Sequence, residues 1–173
     1  NENSLSVKKL VKIFNNITGH YSFILNSQNT TLAVVDRIRS YPIYYTEKDA
    51  FVISNSPLII QNESSLYEID DLSMLEFEMS GFVIGRETLY KSIYQLLPGE
   101  IVIYNKDIQK LRSYRYYQYE LGADKKNLKS ENDLLKELHN VHLKVFSELI
   151  NSLNGRPVWL PLSGGLDSRF ILS

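Results

Sequence analysis

The stretch that decides the fold of this 173-residue chain begins with Tyr21-Ser22-Phe23-Ile24-Leu25 and Leu32-Ala33-Val34-Val35. Two shorter runs rich in β-branched and aromatic residues follow, Ile43-Tyr44-Tyr45 and Phe51-Val52-Ile53, and polar clusters separate all four. Such residues favour strands because they pack well on a pleated surface, and polar clusters favour turns. The sequence therefore predicts a mostly antiparallel meander of strands from Tyr21 to Ser54.

Helical signals lie on both sides of this stretch. Apolar side chains recur at helical spacing over residues 5–17, and Gly19 is placed to end that helix. A second short helix is predicted from Leu72 to Met79, with Gly81 closing it.

A hairpin is predicted after Pro98-Gly99, from Ile101 to about Tyr119. It carries a cluster of aromatic residues: Tyr114, Tyr116, Tyr117 and Tyr119. Tyrosines can stack on nucleic-acid bases, but on a hairpin with alternating faces they are more simply strand packing. The formal net charge of −1 and the lack of a basic cluster also argue against a nucleic-acid groove.

A long amphipathic helix is predicted after a polar linker at residues 121–126. Ser130, with Asp133 three residues on, signals its start, and Asn154-Gly155 closes it. His139 and His142 lie three residues apart on this helix, but no third ligand is near in sequence. We therefore expect solvated histidines there rather than a metal site.

The loop Ser163-Gly164-Gly165-Leu166-Asp167-Ser168 follows the apolar segment Val158-Trp159-Leu160, where a strand is expected. Adjacent glycines let backbone N–H groups point inward, and a helix that starts behind them adds its positive pole. Asp167 would repel a phosphate directly, so its natural role is to hold a bridging Mg²⁺. The pattern lacks the ending of a Walker A loop, so it predicts a pyrophosphate-binding loop rather than a kinase or GTPase.

Few residues follow this loop. A parallel nucleotide-binding sheet needs a crossover helix and a second strand, and the five residues after Ser168 provide neither. We expect the chain to be part of a longer protein, holding most of one domain and the beginning of another.

Composition excludes several classes of protein. No apolar stretch approaches the roughly 20 residues of a membrane span, and we expect a cytoplasmic protein. The chain has no cysteine, so disulfides, thiolate metal sites and a cysteine nucleophile are absent from these residues.

The order of β-meander, connecting helix and Ser163–Ser168 loop resembles the glutamine-dependent asparagine synthetases. In that family an amino-terminal glutaminase domain precedes an ATP pyrophosphatase domain. Gly19-His-Tyr-Ser-Phe-Ile-Leu25 resembles the family strand G-x-F-A-F-A-L, and Asp36-Arg37 with Pro42-Ile43-Tyr44-Tyr45 resembles D-R-x-G-x-x-P-L-Y-Y. The resemblance covers nearly the whole chain, from about Gly19 to Ser173.

The most specific segment begins with Gly81-Phe-Val-Ile-Gly85. It resembles the family run G-Y-V-x-G-x-x-T-L-F-x-x-I-x-x-L-x-P-G through positions that keep their spacing: Thr88, Leu89, Tyr90, Ile93, Leu96, Pro98 and Gly99.

The resemblance implies an α+β fold with two domains. Residues 1–122 would be part of a layered, mostly antiparallel glutaminase domain of the N-terminal-nucleophile type. Residues 123–173 would be the linker, helix and loop that begin an α/β synthetase domain. ATP and its pyrophosphate would bind at the following residues, with Mg²⁺ on Asp167: Leu162, Ser163, Gly164, Gly165, Leu166, Asp167 and Ser168.

The chain departs from the family pattern at several positions. The usual glycine after Asp-Arg falls at Arg39, the usual arginine before it at Val35, and a common acidic residue at Asn55. The family's nucleophile is an N-terminal cysteine whose own amino group is the base, whereas this chain starts with Asn1. Its glutamine-gripping residues would precede Gly19, so none can be placed here. Either the sequence is cut upstream or the domain has lost hydrolysis.

The implied reaction is ATP-dependent amide formation from aspartate through an acyl-adenylate, with ammonia from glutamine. The implied partners are the small molecules ATP, aspartate, and glutamine or ammonia. The resemblance is also compatible with a homodimer. Two alternatives stay open. One is a related ligase, such as a β-lactam synthetase-like enzyme with no working glutaminase domain, and the other is a non-enzymatic β-rich interaction module.

Overall fold

The structure is a computed structural model that describes residues 2–120 and 129–172. The chain forms two compact units, Asn1–Glu120 and Leu121–Ser173. The polar linker expected at residues 121–126 and the domain boundary expected between residues 122 and 123 lie outside the described residues.

Strands and short helices share the first unit. Its helices are α1 (Glu2–Asn16), α2 (Pro57–Ser64) and α3 (Asp71–Ser80). Its strands are β1 (Ser22–Asn26), β2 (Thr30–Val35), β3 (Tyr44–Thr46), β4 (Val52–Ser54), β5 (Tyr94–Gln95), β6 (Glu100–Asn105) and β7 (Lys110–Arg115). The described part of the second unit contains α4 (Glu131–Leu153) and α5 (Leu166–Leu172).

The strands form two antiparallel sheets. The larger sheet has the order β1-β2-β6-β7, and the smaller sheet has the order β4-β3-β5. The prediction of one continuous meander was therefore wrong, although all four of its strands exist. Strand β3 pairs with β4 and, much later in the chain, with β5, where Tyr45 lies opposite Tyr94. This long-range pairing moves β3 and β4 out of the larger sheet.

The first unit has four layers, in the order α1, larger sheet, smaller sheet and α2. Residues of a strand alternate between its two faces, so the larger sheet can pack on both sides. One face of the larger sheet packs against the smaller sheet through a cluster of buried side chains: Ala33, Val35, Ile43, Tyr45, Leu96 and Val102. Its other face packs against α1 through a second cluster: Phe14, Tyr21, Val34, Ile101 and Tyr116. Helix α2 covers the far side of the smaller sheet, where Ile60 packs with Leu66 and Ile93.

The helix predicted at Leu72–Met79 is α3, and its caps explain its limits. The Asp70 carboxylate accepts a hydrogen bond from the Ser73 backbone N–H at 2.8 Å, and Gly81 ends the helix at φ 81°. This is the arrangement in which an acidic N-cap satisfies an unpaired donor and glycine adopts the left-handed conformation. Helix α2 was not predicted, although Pro57 occupies its first turn.

The predicted hairpin is β6 and β7, but it ends at Arg115. Tyr114 lies on β7, and Tyr116 is buried just beyond it. Tyr117 lies under the Arg37 guanidinium, 5.0 Å from its ring centroid, and Tyr119 is 73% exposed. Strand packing therefore accounts for Tyr114 alone, because the chain has left the sheet at the other three tyrosines.

The long helix predicted in the second unit is confirmed as α4. The Ser130 hydroxyl accepts a hydrogen bond from the Asp133 backbone N–H at 3.2 Å, and Asn154 ends the helix in the left-handed conformation. The strand expected at Val158-Trp159-Leu160 is not formed, because the described residues of this unit offer no neighbouring strand with which it could pair. No helix within residues 2–120 or 129–172 combines the length and apolarity needed to cross a bilayer.

Candidate functional site

The predicted pyrophosphate loop lies directly before α5 in the second unit. The Ser168 hydroxyl donates to the Ser163 carbonyl oxygen at 3.2 Å, and the two hydroxyl oxygens also lie 3.2 Å apart. Ser168 is buried, whereas the residues of the loop before it are exposed. The structure thus brings the two predicted serines together and closes the loop between them.

The two glycines leave open space beside the loop. A methyl group at Gly164 would meet no atom within 4 Å, and one at Gly165 would lie 3.4 Å from the Ser163 hydroxyl. The Gly165 backbone N–H donates weakly to that same hydroxyl at 3.4 Å. Among the described residues, the space beside Gly164 is therefore open, and the space beside Gly165 is bordered by the Ser163 hydroxyl.

Asp167 is exposed in the first turn of α5, between Leu166 and Ser168. No group of three histidine, cysteine or acidic side chains with metal-binding geometry occurs within the described residues. A single carboxylate fits Mg²⁺ all the same, because Mg²⁺ bound with a nucleotide takes one or two carboxylates and completes its shell with phosphate and water. The side chains of Leu162 and Leu166 are exposed and add no polar group to the loop.

The two histidines of α4 differ in environment. His139 is exposed, whereas His142 is half-buried and packs edge-on against Phe170 of α5 with ring centroids 4.9 Å apart. Phe146 packs on the same phenylalanine ring at 5.8 Å. The expectation of two solvated histidines is therefore wrong for His142, which helps to join the two helices of this unit.

In the first unit the Asp-Arg segment forms a turn around the buried carboxylate of Asp36. The Asp36 carboxylate accepts hydrogen bonds from the backbone N–H groups of Tyr21, Ile38 and Ser40, at 3.0, 2.9 and 3.1 Å. Burial favours the neutral acid, but the hydrogen bonds from Ile38, Tyr21 and Ser40 outweigh it and lower the pKa of Asp36. The ionised carboxylate of Asp36 thus links Tyr21, directly before β1, to the turn after β2.

Arg37 extends this turn toward α1. Its guanidinium donates to the Asn15 carbonyl oxygen at 2.7 Å and covers the ring of Tyr117. The next arginine, Arg39, has a backbone φ of 56°, which is the conformation that favours glycine. Arg39 therefore occupies a backbone conformation to which glycine, the residue expected here from the sequence resemblance, is better suited.

A buried ion pair, which the sequence did not reveal, joins the two sheets. The Glu100 side chain accepts two hydrogen bonds from Arg86, at 2.5 and 3.2 Å, and a third from the Leu97 backbone N–H at 2.7 Å. Arg86 also donates to the Tyr45 hydroxyl at 3.1 Å. The one signal in the sequence was a charged residue directly after Pro98-Gly99, at the start of an apolar strand.

These features define a layered antiparallel α/β domain that is followed by a separate helical unit with a glycine-rich loop. Residues 7–117 match the protein family described as "Glutamine amidotransferase domain". The chain belongs to this family, whose chemistry is glutamine-dependent ammonia donation. A search among curated proteins found no match to the chain.

Proposed function

We propose that the chain belongs to an ATP-dependent amide-forming enzyme similar to the glutamine-dependent asparagine synthetases. In this proposal residues 1–122 form part of the amidotransferase domain and residues 123–173 begin an ATP pyrophosphatase domain. The observation that carries it is the order of parts. A glutamine amidotransferase domain at residues 7–117 is followed by one long helix and then by the loop Ser163–Ser168.

Hydroxyl and backbone donors supply the phosphate-binding chemistry of the loop. In the structure the Ser168 hydroxyl bonds to the Ser163 carbonyl oxygen and also lies within hydrogen-bond distance of the Ser163 hydroxyl. Both hydroxyls can donate to a phosphate oxygen instead, because the hydrogen of a hydroxyl group rotates about the C–O bond. The open space beside Gly164 and Gly165 admits that oxygen close to the backbone.

Asp167 would hold Mg²⁺ beside the bound triphosphate, and the ion would offset charge on the departing pyrophosphate. In the proposed reaction an aspartate carboxylate oxygen attacks the α-phosphorus, the bond to the β-phosphate oxygen breaks, and pyrophosphate leaves. Ammonia then attacks the acyl carbon, and AMP leaves as the amide forms. Ser163 and Ser168 act in the first step, where they stabilise negative charge on pyrophosphate.

Pyrophosphate exchange tests this proposal. The full-length protein is incubated with ATP, aspartate and labelled pyrophosphate, and we expect label to enter ATP only when aspartate is present. Asp167→Ala should abolish this exchange while the circular dichroism spectrum is unchanged. Glu148→Ala is the matched control, since Glu148 is an exposed carboxylate on α4. Undiminished exchange in Asp167→Ala would remove Asp167 from the mechanism.

The alternatives differ in the acid and in the amine. A β-lactam synthetase-like ligase would exchange pyrophosphate with an acid that carries its own amine, and glutamine would add nothing to product formation. A non-enzymatic interaction module would show no exchange with any acid. Mass spectrometry of the products with glutamine, with ammonium chloride and with neither amine source therefore separates the three functions.

A further inference from the structure

A cleft of about 290 Å³ opens in the first unit beside the turn that follows Asp36, and Arg39 of that turn lines it. Its walls come from β3, α2, α3 and the segment that follows α3. Most of the lining is apolar and aromatic: Tyr44, Pro57, Phe77, Phe82, Leu89 and Tyr90. Apolar clefts of this size with a few polar groups are typical of small-molecule sites.

Most polar side chains in this cleft already have partners. The Gln95 amide donates to the carbonyl oxygens of Gly85 and Glu87, at 3.0 and 3.1 Å. The Thr88 hydroxyl donates to the Ile93 carbonyl oxygen at 2.8 Å. Neither group therefore has a strong donor left for a ligand.

Arg39 brings a positive charge to the cleft. Its guanidinium makes one long hydrogen bond, to the Leu96 carbonyl oxygen at 3.5 Å, and it is half-buried. No carboxylate within residues 2–120 or 129–172 forms an ion pair with it. Since a guanidinium has five N–H donors in a planar fork, most donors of this side chain, which lines the cleft, have no partner among the described residues.

The backbone at Arg39 makes this placement more informative. Its φ of 56° lies in the left-handed region, which disfavours any side chain relative to glycine. The other charged group of the cleft is Glu87, whose carboxylate accepts a hydrogen bond from the Arg86 backbone N–H at 3.1 Å.

We propose that this cleft binds a small carboxylate with an apolar body. The carboxylate would take two parallel hydrogen bonds from Arg39, which is the geometry that guanidinium and carboxylate groups share. The apolar body would lie against Phe77, Phe82 and Leu89. Glu87 can pair with an α-ammonium group, so the carboxylate comes from either an apolar amino acid or a simple acid.

Calorimetric titration of the full chain with two probes tests the proposal. The probes are phenylalanine and 3-phenylpropionate, which share an apolar carboxylate and differ in the ammonium group. We expect saturable binding of at least one. Tighter binding of phenylalanine assigns an amino acid to the cleft, and tighter binding of 3-phenylpropionate assigns a simple acid. Failure of both probes to bind at millimolar concentration overturns the proposal, as does equally tight binding of inorganic phosphate.

Variants at position 39 locate the binding. Arg39→Gly should weaken binding by about tenfold to a hundredfold, because a charge-assisted hydrogen bond is lost. It should fold at least as well as the parent, because glycine suits the left-handed backbone, and a thermal melt checks this. Arg112→Gln, which removes an arginine on β7 outside the cleft, is the control. Unchanged affinity in Arg39→Gly would overturn the assignment.

Discussion

The hydroxyl groups of Tyr21 and Tyr116 lie 2.9 Å apart beneath α1, although 95 residues separate them in sequence. Tyr116 also donates to the Val35 carbonyl oxygen at 2.9 Å, so its phenol ties the end of the hairpin to β2. Burial and the hydrogen bond with Tyr21 raise the pKa of Tyr116. The phenol therefore remains protonated, and able to donate, throughout the physiological pH range.

Tyr116→Phe should lower the free energy of unfolding by about 1–2 kcal/mol, because it removes buried hydrogen bonds and leaves the ring in place. Urea unfolding followed by fluorescence measures the change. Tyr119→Phe removes an exposed hydroxyl and should change nothing measurable. Equal stability of the two variants would mean that the Tyr116 hydroxyl contributes nothing.

Glu100→Gln should destabilise the first unit by about 1.5–3 kcal/mol, the range for hydrogen bonds to charged groups. The variant keeps the side-chain shape but leaves the Arg86 guanidinium, whose side chain is only 27% exposed, without its counter-charge. Glu68→Gln breaks the exposed pair with Lys91 and is the matched control, with little effect expected because water screens that pair. Equal effects of the two changes in urea unfolding would contradict a special role for the buried pair.

Asp36 should make the stability of the first unit depend on acid pH. Its pKa is lower in the folded chain than its ordinary value of 3.8. As the pH falls below 3.8 the unfolded chain therefore takes up a proton first, and the stabilisation from ionised Asp36 is lost. Asp36→Asn lacks this group, so the difference in unfolding free energy between parent and variant should be largest near neutral pH and shrink below 3.8. A constant difference from pH 6 to pH 3 would refute this.

Gly99→Ala should destabilise the first unit more than Gly81→Ala does. Both glycines have positive φ, so both changes carry a backbone penalty of roughly 1–2 kcal/mol. A methyl group at Gly99 would also lie 2.5 Å from the Tyr117 carbonyl oxygen, whereas one at Gly81 meets no atom within 4 Å. Thermal melts of the two variants check this order, and a lower melting temperature for Gly81→Ala would contradict it.

Local signals in the sequence were sufficient for most elements. Strands β1 to β4 follow their apolar runs, and α3 and α4 end at the glycine and asparagine that the sequence marks. Helix α2 was missed because its apolar residues show no clear helical period, and β5 because it has only two residues.

The division into two sheets could not be predicted from local patterns. It depends on the pairing of Tyr45 with Tyr94, and no local feature of either residue specifies the other. The same is true of Arg86 and Glu100, which meet only after both sheets have packed. In the loop Ser163–Ser168 the residue types were evident from the sequence, but the hydrogen bond between its end residues requires the turn into α5.

Strand β6 has consequences for the fidelity of folding. Glu100 and Val102 face the smaller sheet, and Ile101, between them, faces α1. A shift of one residue along β2 would exchange these faces. It would put the carboxylate of Glu100 among the rings of Phe14 and Tyr116, and Ile101 against the guanidinium of Arg86. Such a shift is unfavourable for two reasons: it buries an unpaired carboxylate, and it removes the counter-charge of Arg86. The ion pair therefore favours the correct alignment of β6 with β2, in addition to stabilising the folded domain.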